Sequence, residues 1–325
     1  KTGITMLYRM PILLTIIAIC MWQSYQFPVI GSAVFAITID IILNNITTVT
    51  KAVPMAKGLG FSSKDSLQYS IIMMGFGFSI QSVVRTGISC LTITLVTISA
   101  AFISMFIFGK LLKTSYRLSN LIGVGTAICG GSAIAAVSPI IKADDQEISY
   151  AVSTIFLFNV MAVFIFPFFG HLWNMDQLTF GLWAGTAIND TSSVVAAAYS
   201  YGDIAGDHAT VVKLTRATMI VPIALIYAVI EALRNKQSDS KVSFVKIFPW
   251  FILWFVVAAI VNSLANLPEE VTNWLKNISK FMITMALSAI GLKTDFRKIL
   301  SSGIKPLLLG FLIWCVVTAT ALLLI

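Results

Sequence analysis

Charge is scarce in this chain. Of 325 residues only 11% are charged, while 58% are hydrophobic. A soluble domain carries roughly 25% charged residues, so a water-soluble globular fold is excluded. Histidine is rarer still, with only His171 and His208, and the four cysteines (Cys20, Cys90, Cys129 and Cys315) all lie in apolar stretches. Neither type has metal-ligand spacing, so no metal site is expected, and the thiols read as reduced packing residues. There is no phosphate-binding P-loop, no HExxH and no Ser-His-Asp arrangement. No cofactor is expected, an ATP-driven pump would need a partner to supply its motor, and an enzyme is not indicated. The apolar runs do not alternate with polar residues, which excludes a transmembrane β-barrel.

What is present is a series of apolar runs of about 20 residues, the length that crosses a bilayer. Eleven hydrophobic segments fall at about 10–24, 27–45, 66–84, 88–109, 119–141, 149–169, 178–199, 209–232, 247–265, 275–292 and 303–325. The expected fold is an all-α, polytopic membrane protein, with residues 1–325 forming a single transmembrane domain in contact with lipid. The first run is followed by Trp22 and Tyr25 rather than by small residues, so a cleavable signal peptide is not expected.

The formal net charge of +8 invites a nucleic-acid reading, but the basic residues sit mostly between apolar runs. There they set orientation in the membrane. If the N-terminus is cytoplasmic and every segment crosses, sixteen of them fall inside: Lys1, Arg9, Lys51, Lys57, Lys64, Lys110, Lys113, Arg117, Arg234, Lys236, Lys241, Lys246, Lys293, Arg297, Lys298 and Lys305. Four (Arg85, Lys142, Lys276 and Lys280) fall outside, and Lys213 and Arg216 remain within a segment.

One phrase is written twice. Residues 125–136 read GTAICGGSAIAA and residues 185–197 read GTAINDTSSVVAA. Each copy interrupts an apolar segment, at about 119–141 and 178–199, with small or polar residues. A helix broken in lipid exposes backbone groups, which is tolerated only inside protein or along a cavity. Paired breaks point to a transporter's binding site. An outer pair, GFSIQSVVRTGI at 77–88 and GLKTDFRKILSSGI at 291–304, is also similar and would run antiparallel, as inverted repeats do. Whether the GTAI segments cross fully or re-enter is left open by the spacing.

The two breaks differ chemically. At the first, Cys129, Gly130, Gly131 and Ser132 offer close backbone approach and no carboxylate, which suits an anion at a half-helix N-terminus. The competing reading is a Gly-Ser helix contact. The second break holds Asn189, Asp190, Thr191 and Ser192. Asp190 can cap its own helix, pair with a base, or take up a proton or Na⁺. It is therefore the candidate coupling residue, with a purely structural cap as the alternative. Lys213 and Arg216 lie three apart on one helix face and are expected to serve an anion, Asp190, or both. Asn159, in an uncharged segment, is expected to bond across to another helix.

Several of these stretches are similar to a known family. NLIGVGTAICGGSAIAAVSPIIKA at 120–143, GLWAGTAINDTSSVVAAA at 181–198, ATVVKLTRA at 209–217 and GLKTDFRKIL at 291–300 resemble the sulfate exporter family of bacterial inner-membrane proteins. The resemblance covers nearly the whole chain in the same order. It implies the fold of the cation:proton antiporter and anion transporter superfamily, with the inverted repeats and broken helices of bile-acid symporters and Na⁺/H⁺ antiporters. It also implies alternating access, a bacterial inner-membrane location, and a small anionic substrate such as sulfate, sulfite or a sulfonate, coupled to H⁺ or Na⁺. A homodimer is compatible with it. Many members have His where this chain has Asn189, so Asp190 becomes the more suitable coupling group. The alternatives are a carrier of an organic carboxylate or a cation, with Asp190 as the ion site, and a passive channel.

Topology supplies the first prediction. Single cysteines placed at Lys57, Lys241 and Lys298 should be labelled only from the cytoplasmic side. Labelling of any of them from outside intact cells would contradict the basic-residue asymmetry.

Overall fold

A computed structural model of the chain describes residues 65–234, 249–265, 267–293 and 303–325. The first two expected segments, the charged loop after them and most of the second copy of the outer repeat lie outside the described residues. All regular elements among the described residues are helices. Four are long and apolar enough to cross a bilayer, or five if one bent pair counts as a single span. The described residues fall into two compact units, one holding those within 65–85, 195–203 and 250–293 and the other those within 86–194, 204–234, Pro249 and 303–325.

In the first unit, helix α1 (Asp65–Gly75) is followed by α2 (Ile80–Ser89) at a bend of 112°. The segment expected over 66–84 is therefore broken at 76–79. Freed backbone groups need partners in an apolar setting. Helix α11 (Trp250–Ala265) supplies them: Asn262 donates to the Phe78 carbonyl at 3.2 Å, and the Ser263 hydroxyl accepts from the Ile80 N–H at 2.8 Å. Gly75 allows the approach, because a Cβ there would lie 2.6 Å from the Phe255 carbonyl oxygen. From α12 (Glu269–Lys293), Ser279 donates to the Ser70 carbonyl at 2.7 Å, and Lys280 pairs with Asp203 at 2.7 Å.

The second unit is built on three long helices, α3 (Leu91–Leu111), α6 (Asp145–Leu172) and α13 (Ile304–Leu323). At 1.5 Å per residue the 21 residues of α3 extend about 31 Å, the thickness of a hydrocarbon core. Side chains such as Phe106, Leu111 and Phe168 point outward and stay exposed, as a lipid-facing surface requires. A capping box starts α6: the Glu147 N–H donates to the Asp144 carboxylate at 2.7 Å, while the Asp144 N–H donates to Glu147. Helix α13 packs against α3 and α6 and against two short helices, α4 (Tyr116–Ala127) and α7 (Gln177–Ala187). Its Trp314 stacks on Phe158 and Phe166 of α6, with ring centroids 5.4 and 6.1 Å away. Its Gly310 lets Thr154 and Phe158 press against the backbone.

Two segments are split into short helices at breaks that lie in this unit. The first gives α4 (Tyr116–Ala127) and α5 (Gly131–Val137), and the second gives α7 (Gln177–Ala187) and α8 (Thr191–Tyr201). The 12 residues of α4 and 11 of α7 reach only about 16–18 Å, half a bilayer core. Both breaks fall where the repeated phrase placed them. The expected segment at 209–232 appears as α9 (Asp203–Thr218) and α10 (Ile220–Arg234).

Candidate functional site

The starting ends of α4 and α7 are capped by their own sequence. The Ser115 side chain accepts from the Leu118 N–H at 3.1 Å, and Asp176 accepts from the N–H groups of Leu178 and Thr179, both at 3.0 Å. Their finishing ends, at the breaks, have no such help. The last carbonyls of a helix need donors, and apolar surroundings offer none.

Helix α9 provides them. The Lys213 ammonium donates to the Ile128 carbonyl at 2.8 Å and to the Ile188 carbonyl at 2.9 Å, so one side chain ties both breaks together. Arg216 donates through Nε to the Ala127 carbonyl at 2.7 Å and through Nη2 to the Thr126 carbonyl at 2.8 Å. Both cations are 0% exposed. They sit at helix C-termini, where the helix dipole favours positive charge. Gly185 lets α9 approach this closely, since a Cβ there would meet Val212 at 2.8 Å.

At the second break Asp190 turns back on its own helix. Its carboxylate accepts from the Ser192 N–H at 2.9 Å and from the Ser192 hydroxyl, capping α8. Its N–H donates to Asn159 Oδ1 at 3.2 Å, the expected bond across from α6. Of the partners expected for Arg216, an anion or Asp190, a direct bond to Asp190 is not seen among the described residues. The reason is competition: the Ser192 donors take the carboxylate, and the carbonyls of Thr126 and Ala127 take two corners of the guanidinium. Asn189, next to Asp190 in the chain, is 1% exposed, and neither polar atom of its amide has a hydrogen-bond partner among the described residues. Arg216 Nη1 is likewise buried and has no partner among the described residues.

The first break meets the second. A Cβ on Gly130 would lie 3.3 Å from the Asp190 Cβ, and Gly130 has φ +68°, a conformation that side chains other than glycine's disfavour. Gly131 faces open space, with no atom within 4 Å of a Cβ built there. The first turn of α5 has no side-chain cap. The Ser132 hydroxyl donates to the Cys129 carbonyl at 2.9 Å and lies 3.0 Å from the Cys129 sulfur. Cys129 is buried and its thiol is free. Thr191 and Ser192 are buried at the start of α8. The candidate residues of both phrases and of α9 are thus brought into one neighbourhood. Sequence reading missed the carbonyls of Thr126, Ala127, Ile128 and Ile188. Four carbonyls leave no mark in a sequence, although the two cations at matched depth hint at them. Among the described residues no group of His, Cys, Asp and Glu could hold a metal ion.

The fold and site together define a multi-pass helical membrane protein with paired broken helices. The family described as conserved hypothetical protein 698 matches residues 6–310. A UPF0324 membrane protein of Clostridium tetani is 43% identical over 310 residues, covering 91% of this chain and 89% of the relative. One from Fusobacterium nucleatum is 40% identical, covering 96% and 95%, and one from Streptococcus agalactiae is 40% identical, covering 93% and 92%. The chain belongs to the UPF0324 membrane protein family. No solved structure matches it.

The capping role of Lys213 gives a stability prediction. Lys213→Met leaves two buried carbonyls without donors and should destabilise the protein in detergent by roughly 2–5 kcal/mol. Lys280→Ala breaks a surface pair whose side chains are 44% and 73% exposed and should cost no more than about 1 kcal/mol. Equal unfolding temperatures for the two variants would contradict the capping role.

Proposed function

We propose that this chain is a secondary active transporter that exports a small oxyanion such as sulfate, sulfite or a sulfonate. It works by alternating access coupled to H⁺ or Na⁺, in the bacterial inner membrane with the N-terminus cytoplasmic. The observation that carries the reading is the meeting of two broken helices at two fully buried cations. Irregular backbone at membrane depth is found where it lines a path, and intramembrane charge marks substrate and ion routes. Lys213 and Arg216 supply the positive field, Arg216 Nη1 remains as a donor, and the uncapped start of α5 beside Gly131 and Ser132 has room for an anion. Asp190 is the coupling residue of the reading: protonation would release Ser192 and loosen the α8 cap. The engagement of Asp190 with Ser192 favours an anion over a cation as the carried species.

Purified protein in proteoliposomes, given labelled sulfate, sulfite and methanesulfonate with and without H⁺ or Na⁺ gradients, tests this. Saturable uptake above equilibrium under one gradient is expected. Asp190→Asn should lose the gradient dependence. Gly131→Val, which puts bulk where a Cβ meets no atom within 4 Å, should weaken anion uptake while leaving its gradient dependence intact. Uptake of none of the anions, or flux that never exceeds equilibrium and does not saturate, would overturn the reading.

A further inference from the structure

The charge at the crossing of the two breaks can be counted. Lys213 and Arg216 contribute two positive charges, and Asp190 contributes one negative. The ends of α4 and α7 add about −0.5 each and the start of α8 about +0.5, while α5, with only seven residues, adds at most another +0.5. The sum lies between about +0.5 and +1. Such a site is balanced by one negative charge, and a second would be left uncompensated in an apolar body.

The Asn189 amide adds a separate requirement. It is enclosed, and neither its Nδ2 nor its Oδ1 has a partner among the described residues, so exchanging the two atoms changes nothing. An amide needs an acceptor for its N–H₂ and a donor for its oxygen. Its neighbours are already engaged: the Ile188 carbonyl with Lys213, and the Asp190 N–H with Asn159. At the same crossing Arg216 Nη1, also buried and without a partner among the described residues, is a donor and asks for an acceptor. A ligand that satisfies all three atoms presents oxygen acceptors and also one hydroxyl donor.

We infer that the transported species is a monovalent oxyanion that keeps a proton, of the hydrogensulfite or hydrogencarbonate type, and that Asn189 selects it by accepting that proton's hydrogen bond. This deepens the oxyanion reading above and rests on it. Sulfate, a dianion with no hydroxyl, is disfavoured on both counts. Methanesulfonate has the right charge and lacks the donor. Hydrogensulfite has both.

Calorimetry on the full chain in detergent, at a pH below the second ionisation of sulfurous acid, separates the two requirements. Hydrogensulfite should bind about tenfold more tightly than methanesulfonate, because the amide oxygen is left unpaired by the latter. Methanesulfonate in turn should bind more tightly than sulfate. This series uses the unaltered protein and does not depend on any variant folding. Asn189→Leu should reduce hydrogensulfite affinity about tenfold more than methanesulfonate affinity, so that the preference between the two anions disappears. Sulfate binding as tightly as hydrogensulfite, or equal affinities for hydrogensulfite and methanesulfonate, would overturn this inference and leave the transport reading standing. An unchanged hydrogensulfite affinity in a folded Asn189→Leu protein would overturn it too, assigning the amide to solvent. Binding of no anion in the series would overturn the oxyanion reading itself.

Discussion

One ammonium group holds the site together. Lys213 reaches from α9 to the carbonyls of Ile128 and Ile188, the residues that follow α4 and α7. Each of those helices stops where hydrocarbon-like surroundings provide no water, so each leaves backbone oxygens that must find donors. A lysine has three donors and a compact charge, so it can serve two helix ends at once. Arg216, one turn along α9, takes the carbonyls of Thr126 and Ala127 in the same way. The breaks are tolerated because the cations are there, and the cations are tolerated in an apolar body because the breaks are there. Neither feature is stable without the other.

The same logic recurs with neutral groups. At the bend between α1 and α2, the freed backbone is met by Asn262 and Ser263 of α11. No charge is recruited, and among the described residues the bend gathers no buried cation. The contrast separates a bend that only needs satisfying from a crossing that also carries net charge. Small residues do the spatial part of the work in both places: Gly75 admits α11, and Gly185 admits α9.

The broken segments were legible because GTAI recurs and because Cys-Gly-Gly-Ser and Asn-Asp-Thr-Ser cannot continue an apolar helix. The importance of Lys213 and Arg216 was legible because charge inside a long apolar run needs a reason. What those cations touch was not legible, because backbone carbonyls have no residue identity. Charge alone offered Arg216 either an anion or Asp190 as partner, and it could not show that Ser192, two residues away, offers the carboxylate nearer donors. The size of the bend at 76–79 was hidden as well, because the residues that stabilise it lie more than 180 positions away. Membership of the UPF0324 family follows from similarity over nearly the whole chain, which fixes kinship and leaves the cargo to be read from the site.

The central claim is that Lys213 joins the two half-helix ends. Solid-state NMR on protein in lipid bilayers tests it directly, with lysine labelled by nitrogen-15 at Nζ and isoleucine by carbon-13 at the carbonyl. Nitrogen–carbon dipolar recoupling should report close contacts from one lysine to two isoleucine carbonyls, and both should vanish together in Lys213→Met. A spectrum with no lysine–isoleucine carbonyl contact, or contacts that persist unchanged in that variant, would contradict the account.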